Sequence, residues 1–308
     1  MSEIQTVGMV MYTYAILEEY LDDLWNWLRD VESWSGQPCV EFHFASRAKE
    51  SSRVWKATAE NRTKLYHRLR TEQPWLGIDF GYPAGTLKQG SFATKGIYVS
   101  VVSREQPVRG MERYRIPSYI YIEVHPQVLS ESVTGVSGLL DLGEQIWRIS
   151  EGVYGFIDLQ MNIPLQDNIL RNAAHLFDST VPPKYHDEFR KWQELMPLLD
   201  RRTWKAFWGN FLGAEHLRRL GGIEDMRRAD PRYRLLPEYL EQAYQKGVDR
   251  LRACDCWERW QALSDGGVLL TLSPSPLDWF APQVQDRRKR LQAALGAVAL
   301  HVDPDAST

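Results

Sequence analysis

The sequence predicts an α+β fold, a mixed or antiparallel sheet packed with helices, with a largely helical C-terminal portion. Three observations predict it. Short apolar runs rich in β-branched and aromatic residues recur at 7–17, 39–45, 97–103, 118–126 and 153–163. Stretches with helical period, at 18–34, 57–72 and 135–151, stand between them. After about residue 165 the texture becomes mostly helical and rich in arginine and tryptophan.

Taken in order, VGMVMYTYAIL (7–17) has the composition of an opening strand. In EEYLDDLWNWLRDVESW (18–34), Tyr20, Leu21, Leu24, Trp27, Leu28 and Val31 fall on one face, which predicts an amphipathic helix. CVEFHFA (39–45) alternates Val40, Phe42 and Phe44 against Glu41 and His43, the pattern of a half-buried strand. ATAENRTKLYHRLRTE (57–72) predicts a second helix. WLGIDFGYPAGTLKQGSFATKG (75–96), punctuated by glycine and proline, predicts loop or irregular hairpin.

IYVSVVS (97–103), SYIYIEVHP (118–126) and VYGFIDLQMNI (153–163) predict strands. The turn-rich QPVRGMERYRIP connects the first two, and the helix GVSGLLDLGEQIWRISE (135–151) precedes the third. In the last third GGVLLTLSP (266–274) is the clear strand and DRRKRLQAALGAV (286–298) the closing helix. No repeat, low-complexity tract or flexible linker divides the chain. A single domain over 1–308 is therefore expected, with room for a helical sub-lobe at about 165–265.

WKAFWGNFLGAEHLRRLGG (204–222) needs its own account. Trp204, Phe207, Trp208, Phe211 and Leu212 recur at helical spacing, which predicts a core-facing helix broken near Asn210–Gly213 by its glycines. A short second helix, AEHLRRL, then ends on Gly221–Gly222 as a left-handed cap. Packing explains every residue of this stretch, so it reads as scaffold.

Composition narrows the function. A formal net charge of −3 gives no electrostatic case for direct nucleic-acid binding. No apolar run approaches the roughly 18 residues of a membrane span, and MSEIQTVGMVMYTYAILEEYL lacks the basic flank and cleavage site of a secretory signal. The cysteines, Cys39, Cys254 and Cys256, are odd in number and lack framework spacing, which fits a reducing compartment and predicts a cytoplasmic protein. The C-D-C pair is too close for ordinary zinc-ligand spacing, so both thiols read as structural or incidental.

Catalytic signatures are equally absent. No HExxH pattern and no G-x-S-x-G elbow occurs, and GSFATKG (90–96) breaks the order of a phosphate loop. The histidines, at 43, 67, 125, 175, 186, 216 and 301, are scattered. No catalytic residue, metal or cofactor is expected. The competing reading is an enzyme whose site is assembled from distant residues.

Three segments carry a resemblance. FWGNFLGAEHLRRLGG (207–222), GGVLLTLSPSPLDWF (266–280) and DRRKRLQAALGAV (286–298) resemble the TsiV-like immunity family of type VI secretion, with departures at Ser273 and at Leu277–Asp278. The resemblance spans about residues 8–300, with its specific motifs in the last third. It implies a non-catalytic protein that binds a cognate secreted effector toxin and neutralises it by steric occlusion. It also implies that the toxin is in some cases a nuclease.

Toxin-binding candidates follow from charge. The segment 18–32 holds Glu18, Glu19, Asp22, Asp23, Asp30 and Glu32 against Arg29 alone, and Trp25 and Trp34 lie off or at the edge of the apolar face. Such a helix suits a basic cleft and supplies aromatic anchors. Glu18, Glu19, Asp22, Asp23, Trp25 and Trp34 are the candidate contacts. The alternatives are the loop 81–96 and the turn 104–116, the latter made basic by Arg104, Arg109, Arg113 and Arg115.

Overall fold

A computed structural model of the chain describes residues 6–46, 54–72, 75–82, 96–103, 117–132, 134–159, 198–223, 237–296 and 298–299. The fold is α+β with antiparallel strand pairing. The chain divides into two compact units, Met1–Met161 and Asn162–Thr308.

In the first unit the strands are β1 (Val7–Thr13), β2 (Glu41–Ser46), β3 (Val54–Lys56), β4 (Trp75–Tyr82), β5 (Ile97–Val102), β6 (Ser118–Val124) and β7 (Gly152–Leu159). They lie in the order β3-β2-β4-β5-β6-β1-β7. Side chains alternate across a strand, so register sorts them into rows. Phe42, Phe80, Val99, Ile122, Met9 and Ile157 form one row across the sheet. The neighbouring row, on the opposite face, is Glu41, Gly81, Tyr98, Glu123, Gly8 and Asp158. One face is apolar and the other carries carboxylates.

The apolar face is covered by helices. Helix α1 (Leu21–Ser35) buries Leu21, Leu24, Trp27, Leu28 and Val31, the stripe its sequence period predicts. Helix α2 (Ala59–Thr71) starts at Thr58, whose hydroxyl accepts from the Asn61 N–H. Helix α3 (Pro126–Glu131) leads into α4 (Gly135–Ile149). The Trp27 indole donates to the Leu142 carbonyl at 3.0 Å and ties α1 to α4. The segment 75–82, expected as loop or irregular hairpin, is strand β4, paired antiparallel with β5. Its glycines and Asp79 resemble turn residues, but Gly77 lies 3.3 Å (as a would-be Cβ) from the Val101 carbonyl oxygen, a close strand approach.

The second unit contains β8 (Gly209–Leu212), α5 (Ala214–Leu220), α6 (Pro237–Ala253), β9 (Arg259–Ala262), β10 (Val268–Thr271) and α7 (Pro282–Leu295), with strand order β8-β10-β9. Of the expected helical sub-lobe at about 165–265, the segments 165–197 and 224–236 fall outside the described residues. The expected helix over 204–212 is corrected. Residues 204–208 are irregular and 209–212 are strand. Trp204, Phe207, Trp208, Phe211 and Leu212 are buried, but so are Ala206, Gly209 and Asn210, and burial on all sides erases the distinction between periods. Asn210 satisfies the backbone that a helix would have satisfied: its side chain accepts from the Phe207 N–H at 3.0 Å and donates to the Phe207 carbonyl at 2.7 Å.

The following helix is as expected. AEHLRRL is α5, and Gly222 takes a left-handed φ of 98° just past its end. Cys254 and Cys256, read as separate thiols, are joined in a disulfide, and Cys39 is free and buried. No described helix is long and apolar enough to cross a membrane.

His216 on α5 is fully buried and neutral. Its Nδ1 accepts from the Gly213 N–H at 3.2 Å, so the ring proton sits on Nε2 and is donated to the Arg202 carbonyl, also at 3.2 Å. Burial pushes its pKa down to about 4. An unfolded chain takes up this proton near pH 6.5, so the contribution is whole above that pH and is lost as pH falls towards 4, by about 3 kcal/mol. In urea titrations the stability gap between wild type and His216→Asn should therefore narrow by about that amount from pH 7 to 4. A constant gap would mean that the ring is not held neutral.

Candidate functional site

Two features of the first unit present chemistry: the polar face of the sheet and the outer surface of α1. On the sheet, Asp79 accepts from the Tyr98 hydroxyl at 2.7 Å and from His43 Nδ1 at 3.2 Å. Glu123 accepts from Thr6 at 2.7 Å and from Tyr121 at 3.1 Å. Glu41, Glu123 and Asp158 are buried, which is uncommon for carboxylates.

A carboxylate that fixes the Nδ1 proton of an imidazole is an acid–base arrangement. His43 Nε2, the end that would act, is buried and has no hydrogen-bond partner among the described residues. Sequence reading passed over this network because its members are far apart in the chain. His43 and Asp79 are 36 residues apart and Thr6 and Glu123 are 117 apart. Among the described residues, no group of three His, Cys, Asp or Glu side chains is placed to hold a metal ion.

The surface of α1 divides its candidate residues. A 3-10 turn, Leu17–Tyr20, precedes the helix. Glu18 is half-buried and accepts from the Ser103 hydroxyl, and Glu19 is exposed. Asp22 faces α2, where Arg70 pairs with it at 2.6 Å and the Tyr66 hydroxyl donates to it. The Tyr66 hydrogen bond, with Arg70 beside it, holds the Asp22 carboxyl below its usual range. Glu32 is paired with Arg62 at 2.6 Å. Asp23 and Asp30 are exposed on α1. The acidic segment is thus partly neutralised from within.

The two tryptophans mark two grooves. Trp25 is half-buried against Tyr66 and Phe80, with ring centroids 5.4 and 6.4 Å away. It lines a groove of about 610 Å³ between α1 and α2, together with Asp22, Arg29, Arg62 and Tyr66. Trp34 lies on the other flank. Its indole donates to the Gly135 carbonyl at 3.1 Å, and it borders a groove of about 330 Å³ between α1 and α4. Of the candidates, Glu18 and Glu19 stand on the 3-10 turn and Asp22, Asp23, Trp25 and Trp34 on α1, and they do not converge on one point. The alternative loops fall outside the described residues over 83–95 and 104–116.

Among solved structures, the fold is similar to that of the Pseudomonas aeruginosa T6SS protein PA0821. The TM-score is 0.54 at 12% identity, over 96% of this chain and 73% of that one. No protein-family model matches the sequence, and no curated protein matches it. At this identity the likeness is one of fold.

Proposed function

We propose that the chain is an immunity protein that binds a cognate antibacterial effector of type VI secretion and neutralises it by occlusion, without catalysis, in the cytoplasm of the cell it protects. What supports the reading is the meeting of two likenesses: the TsiV-like motifs of the last third, and a fold shared with a T6SS protein over 96% of the chain. A reducing cytoplasm would favour the dithiol form of Cys254 and Cys256. Where the effector is a nuclease, its cleft is basic to hold phosphates, and the exposed carboxylates of α1 would oppose it and speed association.

The test uses the cognate effector, sought among the products of genes adjacent to this chain's own. Co-expression should rescue growth, and the triple variant Glu19→Lys, Asp23→Lys, Asp30→Lys should slow association by about tenfold or more at low salt. The deficit should shrink as ionic strength rises, because the Debye length falls to about 8 Å at 0.15 M. Asp22 is left out because a lysine there would face Arg70. An unchanged on-rate at low salt would move the interface off α1.

One observation favours a second reading, an enzyme that modifies the effector or its product: the His43–Asp79 pair. The two readings separate on His43→Ala. Occlusion predicts full growth protection by this variant, and catalysis predicts its loss.

A further inference from the structure

Among the described residues the strand order ends on β3 in the first unit and on β9 in the second. An end strand leaves alternate backbone N–H and C=O groups unpaired, and proteins guard such edges with charge or proline. At β3 the guard is Lys56. The Ala57 N–H donates to the Val40 carbonyl at 2.9 Å, so Trp55 turns its backbone towards β2 and the exposed Lys56 turns its own outward. Strand β9, Arg259–Ala262, has neither lysine nor proline.

Hydrogen bonds at the ends of the ladders fix which residues of β9 face outward. The Leu263 N–H donates to the Gly267 carbonyl at 2.8 Å, and the Glu258 N–H to the Thr271 carbonyl at 2.7 Å. On the other side of β10 the Leu272 N–H donates to the Trp208 carbonyl at 2.9 Å. Bonded and open positions alternate along an antiparallel pair. In the observed registers Gln261 and Arg259 therefore bond to β10, and Leu270 bonds to β8. Trp260 and Ala262 are left with their N–H and C=O groups turned away from β10, and no further hydrogen bond reaches either residue. Ala262 is exposed. The half-buried Trp260 ring is held 5.7 Å from Trp257 and lies under the Arg252 guanidinium at 5.2 Å.

We propose that β9 pairs antiparallel with β9 of a second copy of this chain, about a two-fold axis beside Gln261. In that register Trp260 of each copy exchanges backbone hydrogen bonds with Ala262 of the other, so every outward N–H and C=O of the strand is bonded. Any other register brings in Glu258, whose N–H is committed to Thr271, or the turn residue Ser264. Side chains fit the same register. Opposing residues share a face of the pair, so the large Trp260 ring of one copy meets the small Ala262 of the other. The strand end that carries Arg259 comes beside the end that carries Asp265, where a parallel pairing would bring like charges together. So short a strand buries less than the roughly 1,000 Å² of a stable complex, and the dimer forms only at high concentration. This pairing does not rest on the function proposed above.

The first test needs only the full chain. In sedimentation velocity its weight-average mass should rise from monomer at micromolar concentration towards dimer near millimolar. Ala262→Pro removes the outward N–H and no ladder bond, a change that an edge strand tolerates. It should weaken the association at least about tenfold, with an unchanged Tm. Should proline itself lower the Tm, Ala262→Lys decides, because it puts the charge that guards β3 on an exposed position of β9 and should weaken the association likewise. Monomer at every concentration, or a dimer that a folded variant leaves intact, would overturn the proposal.

The second test reads the register. Beside the axis the two copies of Gln261 form a non-hydrogen-bonded pair with Cα atoms about 4.5 Å apart, within the span of a disulfide. Gln261→Cys should therefore cross-link to itself when diamide takes up the two thiol hydrogens, and mass spectrometry should find the 261–261 peptide. The two copies of Ala262 stand diagonally apart, so Ala262→Cys should cross-link at least about tenfold less. Equal cross-linking at the two positions, or none at 261 where the chain is dimeric, would overturn the proposal.

Discussion

Replacement of Trp208 by alanine is expected to cost about 3–5 kcal/mol and to lower the apparent Tm by on the order of 10 °C. Trp208 is fully buried. Its indole donates to the Ser273 hydroxyl at 2.8 Å, that hydroxyl donates to the Ser275 carbonyl at 2.7 Å, and the Trp208 carbonyl accepts from the Leu272 N–H at 2.9 Å. Alanine removes the ring from a close-packed site and leaves Ser273 without its donor. Trp208→Phe separates the two effects, because it keeps most of the bulk and loses only the hydrogen bond, at about 1 kcal/mol. A wild-type melting curve for the alanine variant would show that the segment 204–212 is not core.

Gly247→Ala should be the other large effect, and it runs against helix propensity. Gly247 sits inside α6, where alanine alone would add about 1 kcal/mol of stability. A Cβ there would stand 1.8 Å from the Leu217 carbonyl oxygen of α5, and one at Gly221 would stand 1.8 Å from the Ala243 carbonyl oxygen of α6. The obstacle is backbone on both sides, so no side-chain rotation relieves it. Two helices must separate, at a cost of roughly 3 kcal/mol or more. Circular dichroism melts should show Gly247→Ala strongly destabilised and Gln245→Ala, on the exposed side of the same helix, unchanged. Stabilisation by Gly247→Ala would mean that α5 and α6 do not meet backbone to backbone.

Where burial is one-sided, the sequence revealed its fold. The apolar stripe of α1 and the limits of α5, with a left-handed glycine behind it, were legible because water on one face makes the period visible. Segment 204–212 was not, since neighbours on every side remove the polar half of the pattern. Strand β4 was hidden by Gly77, Gly81 and Asp79, which look like turn residues, although Gly77 serves a close strand approach and Asp79 the hydrogen bond with Tyr98. Short strands β3 and β9 are too brief and too polar to show a period.

The candidate site was legible in composition and not in geometry. Acidic residues and tryptophans could be counted along 18–34, but their partners, the Arg70 cation for Asp22 and the Ser103 hydroxyl for Glu18, come from distant elements. The polar sheet row was invisible for the same reason. Only register brings Glu41, Tyr98 and Glu123 alongside one another.

The central claim is inhibition by binding, and titration calorimetry of the two purified proteins tests it most directly. With the cognate effector and a chelator in the buffer, a one-to-one complex of nanomolar affinity or tighter is expected, about −12 kcal/mol, with loss of effector activity in proportion to complex formed. Growth rescue with no measurable complex, or inactivation of many effector molecules by each molecule of this protein, would contradict it.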